Sequence, residues 1–114
     1  LPISFNPHLI PSFRGILSSI YLYKKKHVSL KQIVNTLRSF YKKDPFIKIY
    51  KPNKEIGTGN VINTNNCDIS VCQTRLKDKI IIFSAIDNLI KGAAGQAIQN
   101  MNIIYKFKET SGLR

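Results

Sequence analysis

The stretch "SAIDNLIKGAAGQAIQNMN", from Ser84 to Asn102, joins the end of a β-branched run to a helix of unusual composition. Apolar residues recur at helical spacing after Asp87, a good N-cap residue, and predict a helix that runs to about Tyr105. Gly92 and Gly95 lie inside this helix, although each destabilises a helix by roughly 1 kcal/mol relative to alanine. The helix is therefore expected to contact something that requires small and amide side chains.

Two stripes of side chains follow the predicted helix. One is apolar and predicts ordinary packing in a hydrophobic core. The other holds small or amide side chains where a solvent-facing surface would carry Lys and Glu, so we expect it to lie against a neighbouring structure. A helix packed on both sides within one domain is the alternative. The apolar stripe comprises Leu89, Ile90, Ala93, Ala94, Ala97, Ile98, Met101 and Ile104, and the glycine-amide stripe comprises Asn88, Gly92, Gly95, Gln99 and Asn102.

The rest of the chain predicts strands and one further helix. A capping box formed by Ser29 and Gln32 marks the start of that helix, and Asp44 followed by a proline ends it. Alternating or continuous apolar runs predict the strands, of which the last two pair as a hairpin. The order β-β-α-β-β-β-α indicates an α+β fold, with a mostly antiparallel sheet covered by helices. The predicted strands span residues 3–6, 14–24, 46–50, 67–75 and 79–86.

Length and charge limit the possible functions. The chain has 114 residues, the size of one domain, and its lack of an initial methionine predicts that it is part of a longer polypeptide. Eighteen Lys and Arg against six Asp and Glu give a net charge of +12, which favours an anionic partner. The cations are dispersed, however, which favours a solvated surface. No apolar run approaches the ~20 residues of a membrane span, and the spacing of Cys67 and Cys72 fits no metal site.

Four segments resemble one enzyme family, the N-acetyl-γ-glutamyl-phosphate reductases. The longest and most specific is "AIDNLIKGAAGQAIQNMN", residues 85–102, which is similar to the C-terminal signature of that family. The other segments occur in the family's order and together span nearly the whole chain. They are "FNPHLIPSFRGIL" at 5–17, "VINTNNCDISV" at 61–71 and "KETSGL" at 108–113.

The resemblance implies a fold and a reaction. The fold is that of the C-terminal domain of glyceraldehyde-3-phosphate/aspartate-semialdehyde dehydrogenase-like reductases. Residues 1–86 correspond to part of the catalytic and dimerisation domain, and residues 87–114 to a helix that returns to a missing NADP-binding domain, with Gly92, Gly95 and Gln99 against that domain. The family reduces an acyl phosphate to a semialdehyde with NADPH through a cysteine thioester. The nucleophilic cysteine and the catalytic histidine lie upstream, so we expect no catalytic residue in this chain.

The resemblance also predicts binding residues. Asn88, at the start of the helix, is expected to meet the nicotinamide carboxamide, with Gly92 beside it. Arg14 is a candidate to hold a substrate carboxylate or phosphate through its planar fork, and His8 is a second candidate for substrate binding. A structural ion pair is the alternative for Arg14, and a structural hydrogen bond is the alternative for His8.

Three positions depart from the family pattern. Ser12 replaces a methionine, Gly59 replaces a lysine and Asn63 replaces a glycine. The first two put substrate contacts near them in question. At the third, asparagine tolerates the left-handed backbone conformation better than most residues do.

Several expectations and alternatives complete the prediction. We expect a homo-oligomer, either dimer or tetramer, with no metal, no membrane association and a cytoplasmic location, or an organellar one in a eukaryote. A close alternative is the paralogous reductase that acts on a carrier-linked aminoadipyl phosphate in lysine biosynthesis. A small basic nucleic-acid-binding module is an alternative from a different class, suggested by Tyr21 and Tyr23 beside the cations at residues 24–26.

Overall fold

The computed structural model describes residues 2–114, so Leu1 of the predicted unit 1–86 lies outside the described residues. A four-stranded sheet has the order β1-β4-β3-β2, and α1 packs on it. Strand β4 pairs antiparallel with β1 and β3, while β2 pairs parallel with β3. The elements are β1 (Ile16–Tyr23), α1 (Leu30–Phe40), β2 (Ile47–Ile49), β3 (Cys67–Gln73), β4 (Lys79–Ile86) and α2 (Gly95–Ile104).

The predicted α+β class with a mostly antiparallel sheet is confirmed, including the β3–β4 hairpin. The strand predicted over residues 3–6 is wrong, because residues 2–15 form neither a strand nor a helix. Pro2, Pro7 and Pro11 explain the error. Proline lacks the backbone N–H that a sheet ladder requires and interrupts regular pairing. This segment instead crosses the surface and leads into β1.

Helix α1 supplies the main hydrophobic core. Its predicted capping box is present, with the Ser29 side chain accepting from the N–H of Gln32 and the Gln32 side chain accepting from the N–H of Ser29. Val34 is buried against Val71 of β3 and Ile80 of β4. Leu30, Ile33 and Leu37 pack around this cluster. Phe40, the last residue of α1, is 77% exposed and does not join this cluster.

The C-terminal helix has an irregular start. The carboxylate of Asp87 accepts hydrogen bonds from the N–H groups of Leu89 and Ile90, as expected of an N-cap. The chain then forms a π-type turn over Ile90–Ala94, with non-helical backbone angles at Ala93, before α2 begins. The single continuous helix that the sequence predicts is therefore two pieces joined at a kink.

The prediction that the apolar stripe of this helix packs in the core is wrong, and so is the expectation that Gly95 and Gln99 lie against another domain, because both lie against segments of this chain. Gly95, Gln99 and Asn102 are buried within the chain, whereas Met101 and Ile104 are 45% and 73% exposed. The physical reason is the neighbour: α2 lies beside the segment at Asn65 and the tail after Lys108. Their polar groups are satisfied by amide side chains, and they offer little apolar surface for leucine or isoleucine to cover.

Candidate functional site

A cavity of about 300 Å³ lies between the N-terminal segment and the start of the C-terminal helical region. It brings together three residues that the sequence predicts for binding, His8, Arg14 and Asn88. The fourth, Gly92, is exposed and does not line this cavity; its N–H donates to the backbone oxygen of Asp87 at 3.0 Å. The lining residues are His8, Leu9, Ile10, Ser12, Phe13, Arg14, Gly15, Ile16 and Asn88.

Arg14 forms an ion pair with Asp87. Its Nη2 lies 3.0 Å from Oδ2 of the carboxylate, and its Nε donates to Oδ1 at 3.2 Å. Its Nη1 donates to the side-chain oxygen of Asn63 at 3.0 Å. Each nitrogen of the guanidinium therefore has an internal partner. This arrangement is the structural ion pair that the sequence left open as the alternative role of Arg14.

Asp87 connects three segments of the chain. Its carboxylate is fully buried, and it accepts from the N–H groups of Asn63 at 2.8 Å and Leu89 at 2.9 Å in addition to Arg14. Burial opposes ionisation of this carboxyl, but the backbone N–H groups of Asn63 and Leu89 and the Arg14 guanidinium together hold its pKa below the usual value. A buried carboxylate whose acceptor sites are filled this way remains charged and rigidly held.

Gly15 and Asn88 make a second link beside the ion pair. The N–H of Gly15 donates to Oδ1 of Asn88 at 2.7 Å. Gly15 has φ +103°, and a Cβ there would collide with the Thr58 side chain, so both the backbone conformation and the close approach require glycine. The bond fixes which end of the Asn88 amide is the oxygen. None of residues 2–114 accepts a hydrogen bond from Nδ2 of Asn88. This N–H donor is therefore available to a ligand.

His8 is exposed at the other side of the cavity. Its Nδ1 lies 3.0 Å from the backbone oxygen of Asn6, a bond that requires the proton on Nδ1. With Nδ1 so engaged, Nε2 of the ring is the nitrogen that can accept from a ligand. The imidazole thus has a structural bond and one remaining polar atom.

A buried polar cluster lies beneath α2. Gln99 accepts from Asn65 Nδ2 at 2.9 Å and from Lys91 Nζ at 2.6 Å, and it donates to Glu109 at 2.7 Å. Desolvation lowers the pKa of Lys91, while the nearby Cys67 and Glu109 oppose that shift. The buried amide of Gln99, one of those that make the helix unusual, therefore forms hydrogen bonds with the chain's own polar groups.

Sequence reasoning missed part of the site. Asp87 was predicted only as an N-cap, and its contacts with Arg14 and Asn63 depend on residues far away in the chain. Asn63 did give a signal: its predicted left-handed conformation is confirmed by φ 62°.

Among residues 2–114, no group of three or more His, Cys, Asp or Glu side chains is placed to hold a metal ion. Nor does any described helix combine the length and apolar character needed to cross a membrane.

Residues 1–88 match the family described as semialdehyde dehydrogenase, dimerisation domain, and the chain belongs to this family. The resemblance to N-acetyl-γ-glutamyl-phosphate reductases is also confirmed. A protein with that name from Clostridium botulinum (strain Eklund 17B / Type B) is 50% identical over 111 residues, which cover 97% of this chain and 32% of the relative.

Two further proteins with the same name extend the comparison. That from Geobacter metallireducens is 44% identical over 113 residues, covering 99% of this chain and 33% of the relative. That from Methanocella arvoryzae is 43% identical over 111 residues, covering 97% of this chain and 32% of the relative. The chain thus spans about a third of the length of the curated relatives it matches.

Proposed function

We propose that this chain forms the C-terminal third of an NADPH-dependent N-acetyl-γ-glutamyl-phosphate reductase of arginine biosynthesis. The enzyme would reduce N-acetyl-glutamyl 5-phosphate to N-acetyl-glutamate 5-semialdehyde in the cytoplasm, or in an organelle of a eukaryote. The observation that carries the proposal is identity of 42–50% to proteins with this name over at least 97% of the chain. The upstream part would supply the nucleophilic cysteine and the dinucleotide-binding loop.

The cavity at Asn88 fits the nicotinamide end of the cofactor. NADPH, when bound, supplies the hydride. The Asn88 nitrogen is a donor suited to the oxygen of a carboxamide, because Gly15 already occupies the Asn88 oxygen. Asp87 neutralises Arg14, so the cavity suits a neutral polar group better than a phosphate. Gly92, in the turn that follows Asn88, can let a ligand approach the backbone closely.

Two residues remain proposed substrate contacts. The Nε2 atom of His8 can accept from a polar substrate group. The N–H groups of Arg14 that Asp87 and Asn63 do not use can donate to a polar oxygen of the substrate. Since both side chains line the same cavity as Asn88, they would place a substrate beside the cofactor.

The exposed apolar side of α2 is the surface we propose for the missing dinucleotide-binding domain. Leu89 and Met101 are about half exposed and Ile104 is more so, although such side chains are normally buried. Residues 87–114 would thus dock back on that domain through their apolar stripe, while residues 1–86 remain part of the catalytic and dimerisation unit.

The sheet would provide the contact between subunits. All eight residues of β1 are exposed, including both tyrosines, Tyr21 and Tyr23. An apolar edge strand left uncovered is a site for pairing or aggregation. We therefore propose a homo-oligomer, dimer or tetramer, that covers this strand.

A chimera tests the proposed function directly. This chain would replace the matching C-terminal third of the Clostridium botulinum relative, and the product would be assayed for NADP-dependent oxidation of N-acetyl-glutamate 5-semialdehyde in the presence of phosphate. We expect activity from the chimera and none from the isolated 114-residue chain. A folded, oligomeric chimera that shows no turnover would contradict the proposal.

The docking surface needs its own variant. Met101→Glu places a charge on the exposed stripe of α2, whereas Gln96→Glu, on the same helix, serves as the control. We expect Met101→Glu to lower the thermal stability of the chimera while leaving that of the isolated chain unchanged. Equal effects in the two proteins would argue against docking through this stripe.

A further inference from the structure

We propose that Asp87 is a positioning residue for the cavity, one that sets where Arg14 and Asn88 lie relative to a bound dinucleotide. The inference rests on the proposed function, since it concerns the site assigned above to the nicotinamide. Asp87 does not line the cavity and is fully buried, so it would act through its neighbours and not by touching a ligand.

The first support is a pair of parallel links between two dipeptides. Arg14 and Gly15 are adjacent in the chain, as are Asp87 and Asn88, and the two pairs are separated by 73 residues. The side chain of Arg14 binds that of Asp87, while the backbone of Gly15 binds the side chain of Asn88. A peptide bond joins Asp87 directly to Asn88. A shift that moves the Asp87 carboxylate would therefore also move the Asn88 amide.

The second support is that both oxygens of the Asp87 carboxylate already accept hydrogen bonds. Oδ2 accepts from the backbone N–H of Asn63, and Oδ1 accepts from the N–H groups of Leu89 and Ile90. An Asp87→Asn substitution keeps the shape but turns one oxygen into an NH₂ group. That group would face a donor wherever it is placed, so the site would have to rearrange.

The test compares two buried carboxylates in the chimera. Asp68→Asn is the matched control, because Asp68 is also buried and accepts a hydrogen bond from Tyr50 at 2.8 Å, away from the cavity. Binding would be measured for NADPH and for 2′-phospho-ADP-ribose, which lacks the nicotinamide. A thermal melt of each variant would record the folded fraction.

We expect Asp87→Asn to weaken NADPH binding by about tenfold or more, a free-energy loss of roughly 1.4 kcal/mol. Binding of 2′-phospho-ADP-ribose should be unchanged, and Asp68→Asn should change neither ligand. A purely structural role would weaken both ligands in parallel with the loss of folded protein. That result, or unchanged NADPH binding, would overturn the inference, whereas an unmodified chimera that does not bind NADPH would instead overturn the proposed function.

If Asp87→Asn does not fold, Arg14→Lys provides a second variant. Lysine keeps the charge but cannot form the forked contact with Asp87 and Asn63. The same selective loss of NADPH binding is expected from a chimera that remains folded. If Arg14→Lys binds NADPH as tightly as the unmodified chimera does, and also binds 2′-phospho-ADP-ribose equally well, the positioning role is contradicted.

Discussion

The side-chain amide of Asn65 packs directly on the backbone of Gly95, in space that a Cβ atom at position 95 would have to occupy. Asn65 is fully buried, and its nitrogen donates to Gln99 one turn further along α2. The glycine thus allows the loop before β3 to come close enough to hydrogen-bond with the helix. This contact accounts for one of the two glycines that make the helix unusual.

The two glycines should respond differently to alanine. Gly95→Ala would collide with Asn65 and Ile90, and we expect a loss of about 1–2 kcal/mol in the free energy of unfolding after the gain in helix propensity. Gly92→Ala would meet its nearest atom at 3.6 Å, an ordinary contact, and should stabilise by roughly 0.4–1 kcal/mol. Urea denaturation measures both. Equal effects would show that the Asn65 contact does not constrain position 95.

Gln99→Leu should destabilise the chain by roughly 1–3 kcal/mol, because it removes the acceptor of the buried Asn65 amide and of the half-buried Lys91. Gln96→Leu is the control, since the side chain of Gln96 donates to Asn100 in an exposed hydrogen bond and has no part in the buried cluster. Its effect should stay within about 0.5 kcal/mol. Urea denaturation gives both values, and similar losses would mean that the buried cluster contributes little to stability.

Ser29→Ala should destabilise the chain by about 1 kcal/mol, because it removes the acceptor for the N–H of Gln32 at the start of α1. Ser39→Ala makes the same chemical change at an exposed position near the end of that helix, where no cap is lost. Thermal or urea unfolding of the two variants distinguishes them. A Ser39 variant as unstable as the Ser29 variant would assign the loss to something other than capping.

The stabilising contribution of Asp87 should depend on pH. Its pKa in the folded chain lies below the ordinary value of 3.8, so its contribution is complete above that value and is lost as pH falls through the folded pKa. Asp87→Asn lacks this contribution at every pH. The difference in unfolding free energy between the two proteins should therefore be largest near neutral pH and shrink below about pH 4. A difference that stays constant would show that the charge of Asp87 is not the stabilising feature.

Local sequence patterns predicted the helices and strands that are determined by neighbouring residues in the chain. The capping box at Ser29 and the apolar spacing after it define α1, and β-branched runs define β3 and β4, whose alternation suits a sheet. The strand predicted at residues 3–6 is absent, because the flanking Pro2 and Pro7 lack the N–H groups that a sheet ladder requires and the apolar pattern between them is short. The kink falls at Ala93, between Gly92 and Gly95, but alanine is itself the residue most favourable to a helix, so the sequence did not mark where the helix breaks.

The sequence predicted which residues line the candidate site better than it predicted the contacts between them. The resemblance singled out His8, Arg14 and Asn88, and the structure places all three around one cavity. It did not show that Asp87 neutralises Arg14, because that ion pair joins positions 73 residues apart.

By itself, the sequence determined the class of the fold, the family and the unusual composition of the last helix, because these depend on residue types and their spacing. Only the tertiary structure decided which side of that helix is buried. Both stripes have helical periodicity, so spacing cannot choose between them. The choice follows from what lies beside α2: a loop and a tail, whose polar groups bind Gln99 and Asn102 and leave the apolar stripe exposed.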